Sequence, residues 1–169
     1  MKQDIKLEKG DVVVVAQSVV SKSEGNVVEL SSVSPNPRAE EIAENLEVDP
    51  RKIQVILDET EEIIRLEHVL ISETKHGFIC ANAGVDGSNV GTGKVTTLPD
   101  QPDKSAKRIS QRLEKEFGKK IGVIISDSWG RPFRLGAVGF AIGIAGLKPL
   151  INLKGKKDAY GRELTSTTR

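Results

Sequence analysis

The stretch Ile121-Gly122-Val123-Ile124-Ile125-Ser126-Asp127-Ser128 decides the reading of the fold, because a short β-branched run there gives way to three polar residues. Such a run reads as a buried strand, and it delivers an acid at its end. Val12-Val13-Val14-Val15-Ala16, which follows the turn signal Gly10-Asp11, reads as another buried strand. Downstream, Ala137 to Gly146 alternates small and large apolar residues, as a strand lying close against other backbone would.

The intervening chain supplies helices and a hairpin. Gln17 to Gly25 is small and polar, and reads as a loop that carries Lys22 away from the first strand. Pro35-Asn36-Pro37 starts a helix through Ala43. Asp49-Pro50 has N-cap and first-turn chemistry for a second, with Ile53, Ile56 and Leu57 at spacings of three and four. Val69 to Ser72 and Phe78 to Ala81, joined by Lys75-His76-Gly77, predict a β-hairpin. Asn82 to Pro99 holds four glycines and no period, and reads as a long loop of the kind that carries function. Asp103 to Phe117 predicts an amphipathic helix with Ala106, Ile109 and Leu113 inward, closed by Gly118. Regular βαβ alternation, GxGxxG and GxxxxGK[ST] are all missing. The expected architecture is α+β, with mixed, largely antiparallel sheets and flanking helices, in one core domain over 1–169 that has room for two small lobes.

Composition narrows the function classes. The chain has 25 Lys+Arg against 24 Asp+Glu, which argues against a bulk nucleic-acid binder, so anions must be held by a few placed groups. Cys80 is the only cysteine, which excludes an internal disulfide and a cysteine-cluster zinc site, and it reads as a small buried thiol. The charged start lacks an apolar signal core, and no stretch reaches the ~18–20 apolar residues of a membrane helix. A cytoplasmic protein is expected.

Two polar segments follow apolar runs: Asn82-Ala83-Gly84-Val85-Asp86-Gly87-Ser88-Asn89, and Ser126-Asp127-Ser128-Trp129-Gly130-Arg131-Pro132-Phe133-Arg134. Two carboxylates on separate loops, one with a hydroxyl beside it, suit Mg²⁺ or Mn²⁺, which take few protein oxygens and fill the rest with phosphate and water. By spacing alone, Asp86 and Asp127 read more readily as turn or capping residues. Arg131 and Arg134 form a fork for a carboxylate or phosphate, or else a solvated pair packed near Trp129 and Phe133.

Taken in order, these segments resemble the coenzyme F420-0:γ-glutamyl ligase family. The matching stretches are GDVVVVAQSVVSKSEG, NAGVDGSNV, IGVIISDSWGRPFR, GAVGFAIGIAG and DAYGREL, spread over nearly the whole chain. The resemblance implies a GTP-using, metal-dependent amide ligase that adds L-glutamate through a γ-linkage to the lactyl-phosphate side chain of a deazaflavin, by way of an acyl phosphate. It implies that Asp86 and Asp127 hold one Mg²⁺ or Mn²⁺ and that Ser128 offers a hydroxyl to a second, with K⁺ as a further cation. Gln17, Ser18, Lys22 and Asn89 are implied as GTP contacts and the assembly as a homodimer; Arg131 and Arg134 match the family's basic pair, and by their chemistry they are expected to hold the anionic coenzyme F420-0 or the glutamate. Members of the family are expected to carry more chain before the first strand and after DAYGREL, including an acidic ligand to the second metal. Two other readings stand beside this one: a related nucleotide-dependent amide ligase for another acid, and a non-catalytic GTP- and metal-binding module.

Overall fold

The computed structural model describes residues 6–130, 135–166 and 168. Along the chain these form β1 (Val12–Ala16), α1 (Gln17–Glu24), β2 (Val27–Glu29), α2 (Pro37–Leu46), α3 (Pro50–Asp58), β3 (Thr60–Leu66), β4 (Leu70–Thr74), β5 (Ile79–Ala81), β6 (Lys94–Thr96), α4 (Pro102–Phe117), β7 (Gly122–Trp129) and β8 (Val138–Ala145), with 3₁₀ turns at Leu30–Ser32 and Asn82–Gly84. The strands make three small sheets, ordered β1-β7-β8, β2-β6 and β3-β4-β5. Only β1 and β7 run parallel among the named pairs, so the α+β, largely antiparallel expectation holds.

In the first sheet, the central strand β7 turns Val123 and Ile125 inward, where Ala106, Ile109 and Leu113 of α4 join Val20, Leu98 and Ile142 in one apolar cluster. α4 opens on Pro102, whose ring suits a first helical turn, and stops at Gly118, which takes the left-handed conformation at φ 66° and donates its N–H to Glu114 O. Gly143 of β8 lies hard against the start of α4: a Cβ there would sit 2.5 Å from the Pro102 carbonyl carbon. That contact is the close backbone packing that the small-and-large alternation of this strand predicts.

A second cluster lies under α2 and α3, joining Ile42, Ala43, Ile53 and Ile56 to Leu70, Ala83, Val85 and Val95. Both helices start as read: Asn36 accepts from Ala39 N–H at 2.9 Å, and Asp49 accepts from Arg51 N–H at 2.9 Å. The β4–β5 hairpin also forms, and Cys80 is buried within it.

Several expectations need correction. β1 is not a buried strand but a sheet edge, with Val12 47% and Val14 62% exposed on one face. Gln17 to Gly25 is not a loop: it is α1, which starts with no loop after β1 and ends on Gly25 at φ 84°. Three serines and two valines in QSVVSKSE give weak helix propensity, so the burial of Val20 and Ser21 holds this helix. Asn82 to Pro99 is only partly loop, since β6 pairs with β2 and the segment supplies buried side chains to both clusters. β3 escapes a period-two reading because its pairing with β4 slips between Thr60 and Glu62 and again between Ile63 and Arg65. β7 continues through Ser128 to Trp129, which puts Asp127 in the strand rather than after it. Among the described residues, no helix is long and apolar enough to cross a membrane.

The Gly143 contact is testable. Gly143→Ala forces α4 away from β8 and should cost about 1–3 kcal/mol of stability, read as a lower urea midpoint. An unchanged midpoint would contradict the close approach.

Candidate functional site

The parallel register of β1 and β7 sets Ala16 opposite Ser126. Because α1 follows β1 directly, its first turn opens beside Ser126, Asp127 and Ser128. Ala16, the N-cap, offers no side-chain cap, and the first turn has no acidic residue. Helix-start N–H groups without a side-chain partner attract anions. They face a cavity of about 380 Å³ lined by Ala16, Gln17, Ser18, Ala81, Gly84, Val85, Asp86, Ser88, Ser126, Asp127 and Ser128.

Asp86 reaches this cavity through an unusual turn. After β5, Asn82, Ala83 and Gly84 are all left-handed, at φ 53°, 51° and 72°. A non-glycine residue pays roughly 1–2 kcal/mol for that conformation, and here the surroundings enforce it. Ala83 is only 1% exposed, a Cβ on Gly84 would meet Leu98 Cδ2 at 2.6 Å, and Val85 N–H donates to Asn82 O at 2.8 Å. From α1, the buried Gln17 donates Nε2–H to Gly84 O at 3.3 Å and accepts from Ser21 Oγ at 3.3 Å. Asp86 N–H then donates to Thr96 O and Thr96 N–H to Asp86 O, at 3.0 and 2.7 Å, which fixes the backbone. The Asp86 carboxylate is oriented by Ser88, whose N–H and Oγ–H both donate to it, at 2.8 and 2.5 Å. At the end of the same loop Lys22 Nζ donates to Asn89 O at 3.0 Å.

The electrostatics of the cavity are one-sided. Burial pushes the Asp127 carboxyl above the usual carboxylate range; the Ser128 N–H, donating at 2.7 Å, works against that, and the negative charge of Asp86 adds to it. Burial, with the charge of Asp127, also pushes the Cys80 thiol up to about 11, against a Gly84 N–H that favours the thiolate. Among the described residues, no Lys or Arg lines the cavity. Two carboxylates and the Ser128 hydroxyl are therefore hard oxygen donors whose repulsion a divalent cation would relieve. No cluster of three His, Cys, Asp or Glu exists among the described residues, so such an ion would complete its shell with phosphate and water.

A second, more apolar groove of about 640 Å³ opens on the other side of Asp127 and Ser128. Ile64, Arg65, Val69, Ile71, Cys80, Ala81, Trp129 and Gly130 complete its lining. Trp129 packs against Phe140 with ring centroids 5.1 Å apart. The two hollows share Ala81, Asp127 and Ser128, so ligands in them would meet at that edge.

The structure thus gathers Asp86, Asp127, Ser128, Gln17 and Ser18 around one cavity and joins Lys22 to Asn89 at the end of the Asp86 loop. Arg131 and Arg134 lie outside the described residues. Sequence reading missed Ser88, although Asp-x-Ser is an Asx-turn signal. It also missed the helix start of α1 and the groove residues on β3, whose strand it did not find.

Comparison with known proteins gives the family. The family model described as F420-0:Gamma-glutamyl ligase matches residues 1–169. The coenzyme F420:L-glutamate ligase of Methanothermobacter thermautotrophicus is 51% identical over 159 residues, covering 94% of this chain and 63% of that protein. Its namesake from Methanocaldococcus jannaschii is 50% identical over 162 residues, covering 95% and 65%. That from Archaeoglobus fulgidus is 44% identical over 163 residues, covering 96% and 66%. The chain therefore spans about two thirds of the length of these relatives.

Two consequences of the electrostatics can be measured. With its folded-state pKa raised, Asp127 favours the fold while protonated, and that contribution is lost as pH rises from the ordinary carboxylate range through the raised value. In chelator at pH 7, Asp127→Asn should melt at a higher temperature than the unaltered protein, with the gap closing toward pH 3; a lower melting temperature at pH 7 would contradict the burial argument. At pH 8, raising the Cys80 thiol to about 11 cuts its thiolate fraction about a hundredfold. Iodoacetamide should label it that much more slowly in the folded than in the urea-unfolded chain, and equal rates would refute its burial.

Proposed function

Because this chain belongs to the F420-0:γ-glutamyl ligase family, we propose that it forms the core of a GTP- and divalent-metal-dependent ligase joining L-glutamate to coenzyme F420-0. The observation that carries this reading is the cavity in which an uncapped helix start faces two carboxylates, with an apolar groove meeting it at Asp127 and Ser128.

Nucleotide phosphates would take the first-turn N–H groups of α1 beside Gln17 and Ser18, with Lys22 and Asn89 completing the GTP contacts. Asp86 and Asp127 would hold Mg²⁺ or Mn²⁺ and Ser128 would turn its hydroxyl toward a second ion, with K⁺ a further cation of the set. The bound cations would neutralise charge on the transferring phosphoryl oxygens. The ring of the acceptor would lie in the apolar groove against Trp129, with its carboxylate at the shared edge. There the carboxylate oxygen attacks the γ-phosphorus and GDP leaves. The glutamate amine then attacks the acyl carbon of the resulting acyl phosphate, giving up a proton as inorganic phosphate departs. Holding the reactants edge to edge is the main service of such a scaffold. Arg131 and Arg134, which follow Gly130 in the chain, would add positive charge for the substrate anions. We also propose that the protein works as a homodimer in the cytoplasm.

Incubation with GTP, Mn²⁺, glutamate and F420-0, followed by mass analysis, should show glutamylated product and GDP. Cation stabilisation of several kcal/mol implies that Asp86→Asn or Asp127→Asn lowers turnover by more than about a hundredfold, with weaker Mn²⁺ binding. Metal-dependent GTP binding without turnover would point to a non-catalytic module. Unchanged Mn²⁺ affinity in both variants would overturn the metal assignment.

A further inference from the structure

The apolar groove carries one cation among its described lining residues, Arg65, and the way it gets there is informative. In a regular strand, consecutive side chains point to opposite faces. Yet Ile64 and Arg65 both line the groove. The pairing of β3 with β4 explains this: Ile63 sits opposite Ser72 and Arg65 opposite Ile71, so Ile64 is an extra residue in the strand. A bulge of this kind re-aims side chains, and such bulges are common beside active sites. The Arg65 guanidinium has no ion pair or side-chain hydrogen bond among the described residues. A delocalised cation set among Ile64, Val69, Ile71 and Trp129 suits a ligand that joins apolar surface to an anionic group.

Resting on the reading that this groove takes the acid acceptor, we propose that Arg65 is a specificity-determining residue that anchors an anionic group of the substrates bound beside Asp127 and Ser128. The acceptor would present a phosphate-type anion, or glutamate would present the carboxylate that does not react. Either would form charge-assisted hydrogen bonds with the planar guanidinium, for which lysine is a poor replacement.

Trp129, the only tryptophan in the sequence, lines the same groove and gives a readout that needs no turnover. Titrating the protein with F420-0 should quench Trp129 emission. If the acceptor supplies the anion, Arg65→Ala should raise the dissociation constant for F420-0 by about tenfold or more, with Arg65→Lys in between. If glutamate supplies it, F420-0 binding should hold while the KM for glutamate rises by a similar factor. Melting temperature and Mn²⁺ affinity should match the unaltered protein in either case. Should Arg65→Ala fail to fold, Arg65→Gln keeps the bulk and tests the charge alone. Unchanged F420-0 dissociation constant and unchanged glutamate KM would overturn the proposal. The underlying reading fails separately: the unaltered protein would then show neither quenching nor product.

Discussion

The parallel pairing of β1 with β7 is the constraint on which the site depends. With Ala16 set opposite Ser126, and no loop between β1 and α1, the start of the helix has one place to go, beside Asp127. A slip of one residue would turn the inward side chains of β7 to the opposite face. The burial of Val123 and Ile125 under α4 forbids that slip, so core packing and site geometry are set by the same register. Asp86 depends on this pairing at one remove, because Gln17 at the head of α1 holds the left-handed turn that precedes it.

The second theme is charge. Burial, and beyond it the negative charge of Asp86, holds the Asp127 carboxyl above its usual range, and no cation lines the cavity among the described residues. Sites that violate a rule of folding in this way are where function is found. The strained turn at Asn82 and Ala83 belongs to the same pattern, since buried packing and hydrogen bonds maintain it against its backbone preference. On the proposed reading, the helix start would hold phosphate, the acid pair a cation, and the groove beyond Asp127 an organic acid within reach of both.

How much of this was legible in the sequence follows from which signals are local. α2 and α3 announce themselves through Asn36-Pro37 and Asp49-Pro50, and α4 through its apolar period and Gly118. β7 and β8 were plain from their apolar content. α1 was not, because its serines and valines carry no helical signal and its stability comes from burial. β3 was hidden by two irregularities in its pairing, and Arg65 was hidden with it. Asp86 and Asp127 could be picked out as acids following apolar runs, yet by spacing alone a turn or cap reading fitted each better. Their meeting in one cavity is a tertiary fact, produced by the β1–β7 register and the left-handed turn, and no local pattern encodes it.

Diffraction at the manganese edge from crystals grown with Mn²⁺ and a guanine nucleotide would locate the ion and the phosphates together. An anomalous peak is expected between the carboxylates of Asp86 and Asp127, with nucleotide phosphate at the first turn of α1. A well-ordered cavity without that peak, or a nucleotide bound elsewhere, would contradict it.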